Sequence, residues 1–259
     1  MSDGTVHETM DEAHPHVLLV TLDKPPVNVL TEDIQEQLRK ICDGIRERHD
    51  VRCMIITGGG DNAFIGGGDV RYLATRDADT VLQRSAVAHQ TFQSLRNCVV
   101  PVIAAVNASA IGSGVCVAAS CDIVVASEKA RFALPEIDVG AMGGGRQLLE
   151  HMPDKVMRYM VMTGDRVDAH YMEKHGFVHQ VVAQHQVLEA AYRIADRIAG
   201  KSPHLMRLKK QAVQLTGTMT LAEGFTVEQL LSAIALSHPD AREAALAILE
   251  KRKPVWSDR

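Results

Sequence analysis

No run of apolar residues in this sequence approaches the roughly 18 needed to cross a bilayer, so no membrane-spanning helix is expected. The first residues, MSDGTVHETMDEAHPH, lack the basic-then-apolar order of a secretory signal. Positive charge is not in excess: 28 Lys+Arg stand against 32 Asp+Glu, a formal net charge of −4, and no nucleic-acid partner is expected. The five cysteines (Cys42, Cys53, Cys98, Cys116 and Cys121) form no CxxC and no paired ladder, which predicts reduced thiols in the cytoplasm. There is no phosphate-binding P-loop motif. None of the 12 histidines is joined to Cys or carboxylates at a metal-ligand spacing, so no metal is expected. Gly112-Ser113-Gly114 is followed by Val117 where a dinucleotide fingerprint carries its third glycine. What is there is an ordinary globular composition: 259 residues, 46 % hydrophobic and 23 % charged, one large domain or a core with an appendage.

Residues 1–14 are polar with little periodicity and are expected to form a mobile lead-in. Val17 to Leu22 reads as a strand closed by Pro25-Pro26, since proline supplies no ladder donor. Ile34, Leu38, Ile41 and Ile45 fall at helical spacing between Thr31, a plausible N-cap, and Arg48. Val51–Thr57 reads as a second strand, Val102–Val106 as a buried one, and Ile123–Val125 as another, with a helical pattern from about 80 to 97. The region 144–259 is mainly helical, interrupted at 178–182, with long patterns beginning near 187, 203, 220 and 239. Strands alternating with helices predict an α/β fold with a helical tail.

Two glycine-rich turns follow apolar strands: Phe64-Ile65-Gly66-Gly67-Gly68-Asp69 and Gly112-Ser113-Gly114. Glycine at a strand end lets the backbone approach a ligand, its amides unshielded. If the strands are neighbours, one N–H from each turn can converge on a single oxygen and stabilise an oxyanion. Each turn alone reads equally well as a tight turn. Glu136, in Phe132-Ala133-Leu134-Pro135-Glu136-Ile137-Asp138-Val139, is a carboxylate among apolar neighbours. Desolvation there would raise its pKa and make it a proton shuttle, although a lone glutamate is more often a solvated surface residue.

An ordered set of segments from about residue 17 to 256 resembles the enoyl-CoA hydratase/isomerase (crotonase) superfamily. They are Cys53–Gly58 with Ala63–Val70, Pro101–Asn107 with Ile111–Gly114, Cys121–Phe132, Pro135-Glu136, Thr163–Arg166, Ser202-Pro203 and Glu250–Pro254. The resemblance implies a spiral core of ββα units carrying the acyl-CoA site over 15–199, then a helical region over 200–259 that trimerises. It implies a homotrimer or a pair of trimers, with an acyl-CoA thioester as substrate and no cofactor beyond that coenzyme A. The oxyanion donors that match by position are the backbone N–H groups of Gly66 and Ser113, and Glu136 falls on one of the two glutamates of hydratases. The coenzyme A portion is expected along Lys24, Pro25, Ala63, Gly68, Asp69 and Val70. Lys251 and Arg252 either meet its phosphates, from this or another subunit, or form a solvated helix end.

The second hydratase glutamate falls on Cys116, a departure from the family pattern. Val115-Cys116-Val117-Ala118 is an apolar run in which cysteine reads as a small hydrophobe, the alternative being an activated thiol near a helix N-terminus. A single acid can move a proton between carbons, so double-bond isomerisation or an atypical hydration is expected. Lyase or decarboxylase chemistry and a non-catalytic binding or scaffold role stand as alternatives. Gly140–Gln147 is shorter than the usual family run, which predicts a reshaped acyl pocket. Arg146, at the start of a helix there, reads as a surface residue rather than a substrate-carboxylate ligand, and Asp69 as a cap for the turn after it.

Overall fold

A computed structural model of the chain describes residues 4–69 and 77–257. Six strands form one sheet in the order β1 (Thr5–Met10), β2 (Val17–Asp23), β3 (Cys53–Gly58), β5 (Val102–Val106), β7 (Ile123–Ser127) and β10 (Gln180–Val182). All neighbours from β2 onward run parallel. Every residue of β3 and β5 is buried, as the near-continuous apolar runs of a doubly covered parallel sheet require. Because side chains alternate, Cys53 and Ile55 face one layer while Met54 and Ile56 face the other. The first layer is α7 (Val187–Ala199), which lays Ala190, Ala191, Ala195 and Ala199 on the sheet. On the second, Leu18, Val20, Met54 and Ile56 pack with Ile34 and Leu38 of α1 (Glu32–Gly44). Thr31 caps α1 as expected, accepting from the Ile34 amide. The helical pattern read to Arg48 ends in a single 3-10 turn, Ile45–Glu47.

The lead-in expected over 1–14 is corrected at its centre. Thr5–Met10 pairs antiparallel with β2, Thr5 opposite Asp23 and Met10 opposite Leu18. The strand is polar because it is an edge, with Val6 alone packed on the core, so it shows little apolar periodicity.

A second, smaller sheet has the order β4 (Ala63–Ile65), β6 (Ser109–Ile111), β8 (Arg131–Ala133) and β9 (Val167–Asp168). The first three are parallel neighbours. The chain alternates between sheets: β3 then β4 then α2 (Ala78–Arg96), and β5 then β6 then α3 (Ser113–Ala119). The third round is β7, β8, a 3-10 turn Pro135–Val139, then α4 (Gly145–Leu149) and α5 (Asp154–Thr163). This is the ββα spiral the resemblance implies. Its consequence is that β4, β6 and β8 all point the same way, so the segments leaving them lie side by side.

After α6 (Ala169–Lys174) and α7 come α8 (Pro203–Thr216), α9 (Leu221–Ser237) and α10 (Pro239–Leu249). Thr220 and Glu223 form a reciprocal capping box at the start of α9. Only Gly224 of α9 is buried, while Leu221, Phe225, Leu230, Ile234 and Leu236 are each more than half exposed. Among the described residues no helix is long and apolar enough to cross a membrane.

Candidate active site

The three segments that leave β4, β6 and β8 meet at one cavity of about 530 Å³. From β4 come Gly66, Gly67, Gly68 and Asp69; from β6, Gly112 and Ser113; from β8, Pro135 and Glu136. Ile65 pairs with Ala110, so the two glycine turns are direct neighbours. Ligands of open α/β sheets are found at such carboxyl ends of parallel strands.

The expectation for Gly66 needs correction. Its amide donates to the Val27 carbonyl at 2.8 Å and is not free for a ligand. Asn28 locks that loop in place, donating to the carbonyls of Gly59 (2.9 Å) and Ala63 (2.8 Å) and accepting from the Lys24 amide (3.0 Å). A Cβ at residue 66 would stand 2.8 Å from the Val27 oxygen, so glycine is required there by loop packing. The next two amides, of Gly67 and Gly68, have no partner among the described residues, and Gly68 is the exposed one. On the neighbouring turn Ser113 is the first residue of α3, so its N–H has no acceptor within its own helix.

Glu136 sits in the 3-10 turn after β8, and its carboxylate lies over Gly112. A Cβ on Gly112, whose φ is +54°, would come within 2.8 Å of Glu136 Oε1. Glu136 is half-buried, and burial pushes its carboxyl above the ordinary glutamate range. Its Oε2 is buried without a hydrogen-bond partner, as are Ser113 Oγ and Gln35 Oε1. These three are among only four such side-chain atoms in the described residues, and all three belong to residues lining this cavity. A buried polar atom without a partner costs ~1–3 kcal/mol, and three around one cavity mark it as built for a polar ligand.

Cys116, one turn into α3, is 4 % exposed and packs in the main core. Burial and the neighbouring Glu136 push its thiol up to about 12. It is a neutral small side chain where a second carboxylate would stand, in line with the hydrophobic reading rather than an activated thiol.

Of the residues expected along coenzyme A, Lys24, Gly68 and Asp69 line the cavity. Pro25 does not, and Ala63 is buried inside β4 with its carbonyl held by Asn28. Val70, and the turn Asp69 was expected to cap, lie outside the described residues. Lys251 and Arg252 follow α10 and do not line the cavity. Arg252 is committed to its own helix end, with Nε 2.6 Å from Glu250 Oε2 and Nη2 2.9 Å from Glu243 Oε2. Arg146 pairs with Glu150 at 2.7 Å on the surface. The sequence reading missed the far wall: Gln35 on α1, and the ion pair of Glu32 with Arg84 of α2 (2.8 Å). Gln35 carried a signal, because it stands three residues before Leu38 and seven before Cys42 on the buried stripe of α1, where a polar residue is out of place.

The chain matches the family described as enoyl-CoA hydratase/isomerase over residues 12–259. It is 32 % identical to the (7aS)-7a-methyl-1,5-dioxo-2,3,5,6,7,7a-hexahydro-1H-indene-carboxyl-CoA hydrolase of Mycobacterium tuberculosis, over 90 % of this chain and 97 % of that one. It is also 32 % identical to the carnitinyl-CoA dehydratase of Citrobacter koseri, over 95 % and 97 % of the two chains. Among solved structures, an enoyl-CoA hydratase from Bacillus anthracis superposes with a TM-score of 0.92 at 29 % identity, covering 100 % of both chains.

Proposed function

The chain belongs to the enoyl-CoA hydratase/isomerase family, whose enzymes act on CoA thioesters, and from that premise we propose that it moves a double bond along an acyl-CoA with Glu136 as its one proton carrier. The relatives are named for hydrolase, dehydratase and hydratase reactions, so the reaction has to be argued from the site. The observation that carries the reading is the pairing of a half-buried Glu136, whose Oε2 has no hydrogen-bond partner, with a buried thiol at Cys116. Adding water across a double bond calls for a water held and deprotonated while carbon is protonated, work that two carboxylates share. Cys116 offers no second carboxylate and, with its thiol held neutral, no second base.

The thioester carbonyl of a 3-enoyl-CoA accepts from the Ser113 amide on one side and the Gly68 amide on the other. Glu136 takes the proton from Cα, and the negative charge spreads over the dienolate onto the oxygen held by the two amides. The same carboxylic acid then delivers the proton to Cγ, leaving a 2-enoyl-CoA. Its raised pKa suits it to both halves, since neither proton form is too stable to react. Moving a proton between carbons calls for no group beyond the thioester. The test is a 3-enoyl-CoA deuterated at Cα: the proposal expects conversion to the conjugated thioester with part of the label at Cγ. Faster addition of water to a 2-enoyl-CoA than migration of the double bond would overturn it.

The proposal includes a homotrimer or a pair of trimers. Leu221, Phe225, Leu230, Ile234 and Leu236 make α9 apolar over much of its exposed surface, and a helix of that kind belongs inside an assembly. The five cysteines are all free and buried, which fits the reducing cytoplasm as its compartment.

A further inference from the structure

Gln35 lines the cavity wall, and the proton transfer makes no use of its side-chain amide. It is 8 % exposed, and its neighbours in that wall include Leu30, Val81 and Ala88. Its Nε2 faces the Leu30 carbonyl at 3.5 Å, which orients the amide and leaves Oε1 buried with no donor. The backbone around it is already satisfied: the Gln35 amide donates to Thr31, and its carbonyl accepts from Thr91 Oγ1. The unmet demand is therefore confined to one acceptor oxygen on a residue that lines the substrate cavity.

An acyl chain that fills this cavity displaces water. A plain alkyl chain would satisfy the apolar walls and strand Gln35 Oε1, whereas a chain carrying an O–H would satisfy both. Sites built to bond a substrate hydroxyl reject the analogue that lacks it far more strongly than apolar pockets reject a missing methylene. We propose that Gln35 is a specificity-determining residue and that the preferred substrates are acyl-CoA thioesters whose acyl group bears a hydroxyl beyond the reacting carbons, donated to Gln35 Oε1. The inference rests on the proton-transfer reading of the same site.

The test compares kcat/KM for matched pairs: 3-hexenoyl-CoA with 6-hydroxy-3-hexenoyl-CoA, and 3-octenoyl-CoA with 8-hydroxy-3-octenoyl-CoA. In the wild-type enzyme the hydroxylated member of at least one pair is expected to be favoured by about tenfold or more. Gln35→Met, close in size but without the acceptor, is expected to abolish that ratio. Equal values within both pairs in the wild type would overturn the inference without needing any variant. So would a Gln35→Met enzyme that loses activity yet keeps the ratio, which would make Gln35 structural. Failure of the underlying reading shows separately: Glu136→Gln would then isomerise the unsubstituted thioesters as fast as the wild type.

Discussion

Replacing Ser113 by proline removes one atom group that matters, the backbone N–H at the start of α3. Ser113 is the first helical residue after Gly112, and proline is favoured at that position because the N–H there has no helical acceptor and the ring's φ suits the first turn. The fold is therefore expected to survive, with a melting temperature near that of the wild type, while the oxyanion loses one of two donors. Loss of one such donor costs ~3–4 kcal/mol of transition-state stabilisation, a fall in kcat of ~10²–10³-fold. The control is Ser113→Ala, which keeps the amide and deletes a hydroxyl that has no partner in the free protein; it is expected within about fivefold of the wild type. The assay follows conjugation of a 3-enoyl-CoA by absorbance, with circular dichroism confirming the fold. A folded Ser113→Pro enzyme within about fivefold of the wild type would refute the backbone-donor argument. An equally damaged Ser113→Ala would move the role to the side chain.

Cys116→Ala is expected to keep turnover within about threefold and to lose ~1 kcal/mol of stability from the small void it leaves; a loss of orders of magnitude in rate would make the thiol catalytic. Burial raises the pKa of Glu136, so the acid limb of kcat/KM should lie above the ordinary glutamate value of about 4.3, with activity rising as the base ionises; a limb at or below that value would contradict the assignment. The same shift favours the protonated form in the folded state, a contribution present at low pH and lost as pH rises through the raised pKa. Glu136→Gln should therefore melt higher than the wild type at pH 8 and not at pH 4, as calorimetry at the two values would read; an equal gain at both would show that ionisation is not the cause. Sedimentation should give three or six times 28.3 kDa, and Leu230→Glu with Ile234→Glu should shift the protein toward monomer; a wild-type monomer would remove the assembly from the proposal.

The large sheet was legible because its central strands are buried on both faces, and runs such as Cys53-Met54-Ile55-Ile56 admit little else. The strands of the small sheet have two or three residues each, too few for any period to show. They nonetheless carry the site: the glycine turns that follow β4 and β6 marked it in the residues, and the family resemblance set those turns in order with Glu136. Gly66 illustrates a limit of reading glycine: packing against Val27 and opening toward a ligand ask for the same residue. Glu136 looks like a surface carboxylate until the turn after β8 brings it over Gly112. For Arg252 the sequence left a phosphate contact and a solvated helix end both open, because its partner Glu243 is nine residues away and the tail after α10 must fold back to meet it. Gln35 broke the apolar stripe of α1, and that irregularity was the only sign of the far wall.

The central claim, that Glu136 abstracts an α-proton beside a carbonyl held by backbone amides, is tested most directly by exchange on a substrate that cannot react further. A saturated acyl-CoA incubated with the enzyme in deuterium oxide should acquire deuterium at Cα, and Glu136→Gln should slow that exchange by ~10²–10⁴-fold. Exchange at the wild-type rate in the Glu136→Gln enzyme would contradict the account.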